Sequence, residues 1–285
     1  MAQAAPGCFT LSDELLARLG EFIEAQFGIK TPPSKKSLLE GRLSKRLRAL
    51  GLDSFEAYWD YLCGEVGRVE EFPFFSDLVS THKTEFFRER QHFETLTATV
   101  LPGLLARGVG SAAPLLAWSC GCSTGEEPYT LAMVLDDYRA SRAVPLDFNL
   151  LATDVSEPAI QRALRAVYHE DTAAPIPEAF RRRYLLRGSD AKEGLVRIAP
   201  ALRAQVRFRV LNLMDEVYAA PHGMHLIFFR NVLIYFEKAV QERIIGRLKE
   251  HLAPGGHLFL GHSESIFGFA HGLEQIEPTL YRKAP

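Results

Sequence analysis

The sequence predicts an α/β protein in which an all-α module precedes a domain built on a parallel sheet. Before residue 108, apolar residues recur at helical spacing, and no segment there has the pattern of a strand. From residue 114 onward, short apolar runs alternate with amphipathic helical segments, which is typical of a parallel sheet covered by helices on both faces. A turn of small residues at 119–125 joins the first apolar run to the first of these helices.

The bulk composition is that of an ordinary globular protein. The 285 residues are 47% hydrophobic and 24% charged, which leaves room for one large domain or two modest ones. A net charge of −2 gives no general attraction to nucleic acid or to membranes. No apolar run approaches the roughly 20 residues that span a bilayer, and the N-terminus MAQAAPGCFT lacks a basic-then-apolar signal pattern. We therefore expect a cytoplasmic protein.

The four cysteines, Cys8, Cys63, Cys120 and Cys122, are thinly spread. Cys120 and Cys122 flank a glycine, but no second pair of Cys or His residues lies at the spacing of a zinc site. We interpret these two cysteines as small turn residues, and we predict no metal site.

The helical periodicity divides the N-terminal module into five segments. Ser12 is the expected N-cap of the first and Gly28 its stop, and Pro32 and Pro33 break the chain before the second. The predicted helices cover 11–27, 34–50, 54–65, 69–79 and 85–105. We assign 1–107 to the all-α domain, 108–113 to a Gly- and Ser-containing linker, and 114–285 to the α/β domain.

The α/β domain has its own order of elements. Strands are predicted at 115–119, 147–152, 206–211, 225–230 and 256–261, and helices at 127–140, 156–167 and 237–252. A stretch at about 175–204 interrupts this alternation. It contains the runs YLLR and LVRI, separated by Gly188 to Gly194, which predict a small antiparallel hairpin inserted into the domain.

The helix after the glycine-containing turn begins with two carboxylates, Glu126 and Glu127, followed by Pro128. Gly121 and Gly125 suit a turn that needs positive φ or close approach to a ligand. Two glutamates at a helix N-terminus repel phosphate and favour a ligand that carries a cation, such as the ammonium and sulfonium groups of S-adenosylmethionine. The alternative is that both glutamates only complement the helix dipole.

Several short motifs, taken together, resemble the CheR family of chemotaxis receptor methyltransferases. They are WSCGCSTGEEPY in the glycine-containing turn, TEFFR at 84–88, ATD at 152–154, NL at 212–213, FRNVLIYF at 229–236 and GHSE at 261–264. The resemblance implies a class I, Rossmann-like S-adenosylmethionine methyltransferase domain with an antiparallel pair at 273–277 and 279–283. It also implies S-adenosylhomocysteine as product and glutamate side chains of chemoreceptors as methyl acceptors.

Polar residues follow the predicted strands at the edge where ligands bind in open α/β sheets. Asp154 follows the second strand, where an acidic side chain commonly binds ribose hydroxyls; the alternative is that it caps the next helix together with Ser156. The resemblance implies further cofactor contacts from residues at strand ends and turns: Asn212 and Leu213 beside the adenine, Arg230 and Asn231 at the floor, Glu127 at the methionine part, Gly121 in the turn, and Thr84 and Arg88 over the cofactor.

His82 departs from the family pattern, since many members have asparagine at this position, two residues before Thr84. An imidazole there can still hydrogen-bond to the cofactor, and its charge would then matter. The alternative is a solvated histidine in a loop.

Methyl transfer from a sulfonium to a glutamate needs no general base, because a carboxylic acid that titrates near about 4.3 is already ionised. The protein must position and desolvate the acceptor. We expect Arg88 and Tyr235 to orient it through charge-assisted and hydroxyl hydrogen bonds, although Tyr235 also suits packing beneath the sheet. Amino-group methyltransferases often have N-P-P-Y after the fourth strand. Here that place reads Arg230-Asn231-Val232-Leu233, which favours an oxygen acceptor.

Two basic clusters suggest how a protein substrate is held. Residues 30–48 carry seven Lys and Arg against one acid, and residues 181–209 carry nine against two. Such clusters are often solvated faces, but both also complement a glutamate-rich helix. Single-stranded nucleic acid is disfavoured because interleaved aromatic residues are lacking. The predicted substrate contacts are Arg42, Lys45 and Arg46 on the second helix and Arg187, Gly188, Gly194 and Arg197 on the hairpin.

By resemblance, the hairpin docks a C-terminal receptor peptide as an added strand, although Asp190 would oppose an acidic peptide. The partners expected from the sequence are therefore the cytoplasmic domains of chemoreceptors. We expect a monomer without membrane insertion. The alternative function is a catalytically silent module that binds S-adenosylmethionine or S-adenosylhomocysteine and regulates a signalling complex.

Overall fold

The computed structural model describes residues 9–284, so Cys8 lies outside the described chain. The chain divides into two compact units. The helical unit contains the residues up to Thr81 together with the short segments Ser156–Pro158 and Tyr235–Glu237. The sheet unit contains His82–Val155, Ala159–Ile234 and the residues from Lys238 onward. Within residues 9–284, no helix combines the length and apolar character needed to cross a membrane.

The helical unit contains five α-helices: α1 (Asp13–Phe27), α2 (Lys36–Leu50, after a 3-10 turn at Pro33–Lys35), α3 (Phe55–Cys63), α4 (Glu65–Glu70) and α5 (Phe72–Val79). The hydroxyl of Ser12 accepts a hydrogen bond from Leu15 N at 3.2 Å, and Gly28 ends α1 at φ 70°, so both predicted boundaries are confirmed. The predicted helix at 69–79 is two helices, because the chain turns at Glu71 between α4 and α5.

The sheet unit begins with residues 82–90, an irregular segment that ends in turns at 86–90 rather than the start of a helix. The helix predicted from residue 85 begins only at α6 (Gln91–Thr95), because Phe87 and Glu89 adopt φ values of 56° and 55° that no right-handed helix contains. A π-helical turn, Leu96–Val100, then leads into α7 (Leu101–Ala106).

The boundary between the units lies at 81/82, whereas the sequence placed a linker at 108–113. The physical reason is burial: Phe86, Phe93, Leu96 and Leu104 belong to the apolar core of the sheet unit. Helical content therefore does not mark the end of the first unit.

The seven-stranded sheet has the order β6-β2-β1-β7-β8-β10-β9. Its strands are β1 (Leu115–Cys120), β2 (Phe148–Asp154), β6 (Val206–Val210), β7 (Met224–Phe229), β8 (Leu252–Leu260), β9 (Leu273–Glu277) and β10 (Leu280–Lys283). The pairs β1–β2, β1–β7, β2–β6 and β7–β8 are parallel, and β10 is antiparallel to both β8 and β9. The predicted parallel sheet with an antiparallel closing edge is confirmed. Strand order reverses at β1, so the carboxyl ends of β1, β2 and β7 meet where ligands bind in such sheets.

Two long helices separate these strands: α8 (Glu126–Arg142) and α13 (Lys238–His251), with the shorter α9 (Glu157–Arg165) after β2. Helix α8 is buried along most of its length, with Leu131, Met133 and Leu135 fully inaccessible. A helix buried this completely holds its first turn rigidly against the sheet, and the site is built on that turn.

The insertion is a three-stranded antiparallel sheet in the order β3-β5-β4. Its strands are β3 (Val167–His169), β4 (Leu185–Arg187) and β5 (Leu195–Ile198), and three short helices accompany them: α10 (Glu170–Ala173), α11 (Glu178–Tyr184) and α12 (Pro200–Arg203). The predicted hairpin of β4 and β5 is confirmed. The insertion begins earlier than residue 175, because Val167, predicted to end a helix, pairs with Arg197 as part of β3.

Candidate functional site

The turn after β1 folds tightly over the end of β2. Gly121 N and Cys122 N both donate to Thr153 O, at 2.8 and 2.9 Å. Gly121 has φ 83°, and a Cβ there would lie 2.5 Å from Val232 Cγ2. Only glycine therefore fits at this position, on grounds of both conformation and space.

The second glycine of the turn, Gly125, packs against the insertion. It has φ 100°, and a Cβ on it would lie 2.9 Å from both Ala163 Cβ and the Tyr168 hydroxyl. That hydroxyl donates to Thr124 O at 2.9 Å. The turn is thus fixed from outside by β3 and α9 as well as from beneath by β2.

Asp154 directs its carboxylate at the glycine-containing turn, since Oδ2 accepts from Ser123 N at 2.7 Å. Ser156, the other residue of the capping alternative, donates from its hydroxyl to Asp77 Oδ1 at 2.6 Å, within the helical unit. A half-buried carboxylate at the end of β2, oriented by the turn, has the chemistry to accept hydrogen bonds from ribose hydroxyls.

Glu126 is a buried residue with only 4% of its surface exposed. Burial raises its pKa, against the opposing effect of a hydrogen bond from Thr124 Oγ1 at 2.7 Å. The charges of Arg162 and His82 lower the same pKa, which places His82 in the electrostatic surroundings of this helix start. The Glu126 carboxylate is thus engaged within the turn by Thr124.

Glu127 is held by two donors. Oε1 accepts from Ser119 Oγ and Oε2 from Arg230 Nε, each at 2.7 Å, and 12% of its side chain is exposed. The carboxylate predicted to attract a cationic ligand is thus already paired with a buried arginine. A ligand ammonium group approaching Glu127 would share it with Arg230.

Arg230 is the centre of the site's hydrogen-bond network, with 2% of its side chain exposed. Besides Glu127, its guanidinium group donates from Nη1 to Arg88 O at 2.9 Å and contacts Glu89 Oε2 at 3.3 Å and His92 Nδ1 at 3.0 Å. Arg230 therefore joins the glycine-containing turn to the segment at 82–90, a link that the sequence did not predict.

His92 completes this network on the far side of Arg230. Because Nδ1 faces the Arg230 donor, the ring proton lies on Nε2, which donates to Thr279 Oγ1 at 2.9 Å. Burial, followed by the charge of Arg230, lowers the pKa of His92 to about 4, so the ring is neutral at physiological pH. His92 was not among the predicted site residues, because nothing in its flanking residues signals a partner 187 positions away.

Asn231 follows β7 in the left-handed region, at φ 60°. Its backbone N donates to Glu264 Oε2 at 2.7 Å, and its side-chain Nδ2 donates to Glu89 Oε1 at 3.1 Å. Glu264 also accepts from Gly261 N at 2.7 Å, and burial raises its pKa. The GHSE motif at 261–264 was identified in the sequence without a role. In the structure, Glu264 of this motif connects the loop after β8 to the loop after β7.

The predicted contacts Thr84 and Arg88 belong to the sheet unit, although the sequence assigned them to the helical module. Both are half-buried, and Arg88 donates from Nη1 to Lys83 O at 2.8 Å. Tyr235, the other residue predicted to orient the acceptor, is half-buried and belongs to the helical unit, where its carbonyl accepts from Lys30 N at 3.3 Å.

Asn212 and Leu213 lie just beyond β6, next to β2 in the sheet. Asn212 Oδ1 accepts from Met214 N at 3.0 Å, and Leu213 O accepts from the Tyr218 hydroxyl at 2.9 Å. These bonds hold the loop at the end of the edge strand. The role of Asn212 and Leu213 beside an adenine stays a prediction.

The three basic residues predicted to bind substrate on α2 have different surroundings. Arg46 makes bidentate hydrogen bonds to Glu71, from Nε at 2.9 Å and Nη2 at 2.6 Å, and Glu71 is fully buried. Arg42 donates from Nη1 to the carbonyls of Leu78 and Ser80, at 2.6 and 2.8 Å. Both arginines thus hold α2 to its neighbours within the helical unit, whereas Lys45 is exposed.

The predicted docking residues lie on the small sheet. Arg187 and Arg197 are exposed on β4 and β5, and β4 is an edge strand. Gly188 has no room for a side chain, because a Cβ would lie 2.1 Å from Lys192 O, and Gly194 has φ 78°. The basic cluster is partly neutralised in the structure, through ion pairs of Arg181 and Arg182 with Glu178 and of Arg183 with Asp136 and Asp137.

Glu89, His92 and His262 form a cluster whose ligand atoms lie within 4.8 Å of one another. The acceptor atoms of Glu89 and His92 are engaged, since Arg230 contacts both residues and the backbone N of His262 donates to Glu89 Oε1 at 3.2 Å. A cation among them would face the Arg230 guanidinium, so the cluster is better explained as a hydrogen-bond network. Burial raises the pKa of Cys120 and Cys122, which keeps both as packed thiols.

The residues at the carboxyl edge of the sheet fit S-adenosylmethionine in their chemistry. Glycines that leave no space for side chains form the turn, Asp154 offers a carboxylate at the end of β2, and Glu127 offers one at the start of α8. The set lacks clustered arginines aimed at a phosphate; Arg230 is instead committed to Glu127 and to Arg88 O.

Comparison with known proteins assigns a family model to each unit. The description "CheR methyltransferase, all-alpha domain" matches residues 14–79, and "CheR methyltransferase, SAM binding domain" matches residues 82–282. The chain is 35% identical over 274 residues to the "Chemotaxis protein methyltransferase" of Borreliella burgdorferi, covering 96% of this chain and 95% of that one. It is 38% identical to the protein of the same description from Klebsiella aerogenes, covering 93% and 87%, and 35% identical to that from Escherichia coli, covering 90% and 86%.

Proposed function

The chain belongs to the CheR methyltransferase family, and we propose that this S-adenosylmethionine-dependent methyltransferase acts on glutamate side chains of chemoreceptors, giving glutamyl methyl esters and S-adenosylhomocysteine. The observation that carries the proposal is the junction at Arg230. Its guanidinium group binds both Glu127, from the glycine-containing turn, and the carbonyl of Arg88, from the T-E-F-F-R segment. Arg230 thus joins the segment proposed to bind the methyl donor to the segment proposed to bind the acceptor, within the sheet unit.

The chemistry asks the protein for orientation and for exclusion of water. S-adenosylmethionine supplies, when bound, an electrophilic methyl group on a sulfonium. A glutamate that titrates near about 4.3 is already a nucleophile at neutral pH, so this chain need not remove a proton. Its residues would instead align the acceptor carboxylate with the methyl group and strip water from it.

For the cofactor, we propose contacts from the residues at the strand ends. Asp154 would accept hydrogen bonds from the ribose hydroxyls, and Glu127, shared with Arg230, would bind the amino group. The remaining contacts of this proposal are Gly121, Asn212, Leu213, Asn231, Thr84 and His82, with Arg230 acting mainly by holding Glu127. The proximity of His82 to the charge of Glu126 supports a place for that histidine beside the helix start.

For the acceptor, we propose Arg88 and Tyr235. Arg88 is half-buried, and its present hydrogen bond to Lys83 O leaves other guanidinium N–H groups with which to bind a carboxylate. Tyr235 would donate from its hydroxyl. Packing of the ring alone is the alternative for Tyr235, and activity of Tyr235→Phe distinguishes the two.

For the protein partner, we propose the cytoplasmic domains of chemoreceptors. The protein would bind them as a monomer in the cytoplasm. Of the three α2 residues predicted to contact substrate, Lys45 is best suited to meet an acidic helix, since Arg42 and Arg46 already have internal partners. Arg187 and Arg197, with the backbone at Gly188 and Gly194, would receive a receptor C-terminal peptide as a strand added to β4.

Methylation of receptor-containing membranes with radiolabelled S-adenosylmethionine tests the proposal. We expect label on the receptor that is released as methanol by mild alkali, as a methyl ester requires. Alkali-stable label would indicate a nitrogen acceptor. The receptors used should be ones that a related enzyme methylates. If the protein binds S-adenosylhomocysteine but transfers no methyl group to them, it is the silent regulatory module instead, an alternative that its family membership does not favour.

A further inference from the structure

We propose that Thr130 and Glu89 are positioning residues that hold the backbone at 87–89 in a strained conformation and so set the direction from which Arg88 meets the acceptor. This inference rests on the proposed function, because Arg88 is a proposed acceptor contact. It goes beyond that function by assigning roles to two residues that are not among the proposed cofactor and acceptor contacts.

The segment at 87–89 has an unfavourable backbone. Phe87 and Glu89 both lie in the left-handed region, at φ 56° and 55°, on either side of Arg88. Residues with a Cβ adopt this region only when their surroundings supply the free energy, and bulky residues such as phenylalanine do so rarely. The interactions that hold these two residues are therefore the ones to identify.

Thr130 holds Phe87, the first residue of the strained segment. Phe87 N donates to Thr130 Oγ1 at 3.1 Å, and the same hydroxyl donates to Glu126 O at 2.7 Å. Thr130 is fully buried on α8, one turn after Glu126. Its oxygen is thus an acceptor built into the rigid helix and aimed at the backbone of the 82–90 segment.

Glu89 holds the last residue. Its Oε1 accepts from Asn231 Nδ2 at 3.1 Å and from His262 N at 3.2 Å, and its Oε2 faces Arg230 Nη1 at 3.3 Å. The three donors come from the loops that follow β7 and β8. Glu89 therefore ties the strained segment to the carboxyl edge of the sheet at a single carboxylate.

The middle residue is held through its backbone, because Arg88 O accepts from Arg230 Nη1 at 2.9 Å. Three successive residues are thus fixed at three different groups: N–H of Phe87, carbonyl of Arg88 and carboxylate of Glu89. The side chain of Arg88 extends from this fixed base. Losing one of the three bonds should let the segment relax out of its strained conformation and move the guanidinium group away from the acceptor.

The same bonds couple the two halves of the site. Thr130 lies on the helix that begins with Glu126 and Glu127, and Arg230 binds Glu127 as well as Arg88 O. The groups that hold Arg88 therefore also contact the start of α8, where the cofactor's methionine part is proposed to bind. Orientation of the acceptor arginine thus depends on an intact α8 start.

The test uses a pair of substitutions at Thr130. Thr130→Val keeps the shape and removes the hydroxyl, whereas Thr130→Ser keeps the hydroxyl. Because Thr130→Val leaves a buried N–H without its acceptor, we expect kcat for receptor methylation to fall about tenfold or more. S-adenosylhomocysteine affinity should stay within about twofold, and Thr130→Ser should restore kcat to within about threefold of the original protein.

A second pair tests Glu89 in case Thr130→Val does not fold. Glu89→Gln should lower kcat in the same selective way, and Glu85→Gln, which removes an equal charge from an exposed position in the same segment, should leave it unchanged. Unchanged kcat in both Thr130→Val and Glu89→Gln would overturn the proposal. So would equal losses of kcat and of S-adenosylhomocysteine affinity, which indicate general loosening.

Limited trypsin digestion after Arg88 gives a readout that does not depend on catalysis. We expect faster cleavage in Thr130→Val and Glu89→Gln than in Thr130→Ser and Glu85→Gln. If the unaltered protein methylates no receptor, the proposed function fails, while the digestion rates still report whether the segment is held. Equal cleavage rates in all four variants would refute the holding role itself.

Discussion

Arg230 donates from Nε to Glu127 Oε2 at 2.7 Å, in a position where only 2% of the arginine side chain and 12% of the glutamate side chain are exposed. The pair joins the end of β7 to the start of α8. Charges this well buried cost solvation free energy, which the mutual attraction and the further bonds of Arg230 must offset. The pair therefore fixes the end of β7 to the start of α8 but adds little net stability.

Removing one partner of this pair should be costly. Arg230→Met leaves Glu127 buried and uncompensated, so we expect the free energy of unfolding to fall by about 3–5 kcal/mol. Arg282→Met is the matched control, because Arg282 binds Glu274 at the same 2.7 Å but in an exposed pair, and its loss should cost less than about 1 kcal/mol. Urea denaturation of the two variants gives both values. Similar losses in the two would show that burial does not distinguish these pairs.

The two glutamates at the start of α8 should contribute unequally to cofactor binding. Glu127→Gln removes the charge proposed to meet the ligand's amino group, and we expect affinity for S-adenosylmethionine to weaken by about 1–3 kcal/mol. Glu126→Gln should matter less, because Glu126 is only 4% exposed and this burial raises its pKa. Calorimetry on both variants measures these two affinities for S-adenosylmethionine. Tighter binding of the positively charged donor by Glu127→Gln would contradict the electrostatic explanation.

Much of the fold could be predicted because local patterns dictate it. The glycine-containing turn was identified from Gly121 and Gly125, whose positive φ and lack of side-chain space only glycine satisfies. Strands β1, β2 and β7 were recognised from apolar runs of the right length. The hairpin of β4 and β5 followed from two short apolar runs around a glycine-bounded loop.

The site itself could be predicted only in part, because its bonds join residues far apart in the chain. The predicted helix from residue 85 was wrong over its first turns, since the strain at Phe87 and Glu89 is imposed by partners 43 to 173 residues away. The partners of His92, which are Arg230 and Thr279, likewise leave no trace in its neighbouring sequence. Arg46 resembled a surface charge until Glu71, 25 residues later, proved to be its buried partner.

The neutral His92 predicts a loss of stability in acid. Its pKa is lowered from 6.5 to about 4 by burial and by Arg230, so between these values the unfolded chain binds the proton more readily than the folded one. Stability should therefore fall as pH drops from about 6.5 to about 4, by up to about 3 kcal/mol from this residue. Because Glu126 and Glu264 have raised pKa values that act in the opposite sense, the comparison must be made against a variant.

His92→Asn is that variant, since it removes the titrating group and keeps an amide for Arg230 and Thr279. Its free energy of unfolding, followed by urea titration at several pH values, should change less between pH 6.5 and 4 than that of the unaltered protein. His169→Asn, at an exposed position on β3, serves as control. If the free energy of unfolding of His92→Asn depends on pH as strongly as that of the unaltered protein, another group governs acid sensitivity.

Tyr235→Phe should separate a catalytic hydroxyl from a packed ring. If the hydroxyl donates to the acceptor carboxylate, its removal should lower kcat by roughly tenfold, with S-adenosylhomocysteine affinity unchanged because the partner is the acceptor. The ring and its packing are retained in phenylalanine. Single-turnover methylation with saturating cofactor measures the step directly. Full activity in Tyr235→Phe would assign the residue to packing within the helical unit.

Adjacent residues on α2 should have opposite effects on recognition and stability. Lys45 is exposed, so Lys45→Ala should leave the free energy of unfolding within about 0.5 kcal/mol of the original value. It should lower kcat/KM for receptor methylation by roughly two- to fivefold at low salt, and less at high salt, because a surface charge acts mainly on association.

Arg46→Ala, in contrast, leaves the fully buried Glu71 without its bidentate partner and should cost about 3–5 kcal/mol of stability. Residual activity of this variant, measured well below its unfolding temperature, should keep an ordinary KM for receptor, because the guanidinium group faces Glu71 rather than a substrate. A raised KM with little loss of stability in Arg46→Ala would instead make this arginine a substrate contact, as the charge pattern alone had indicated. The salt dependence of Lys45→Ala then decides whether the basic face of α2 guides the receptor helix at all.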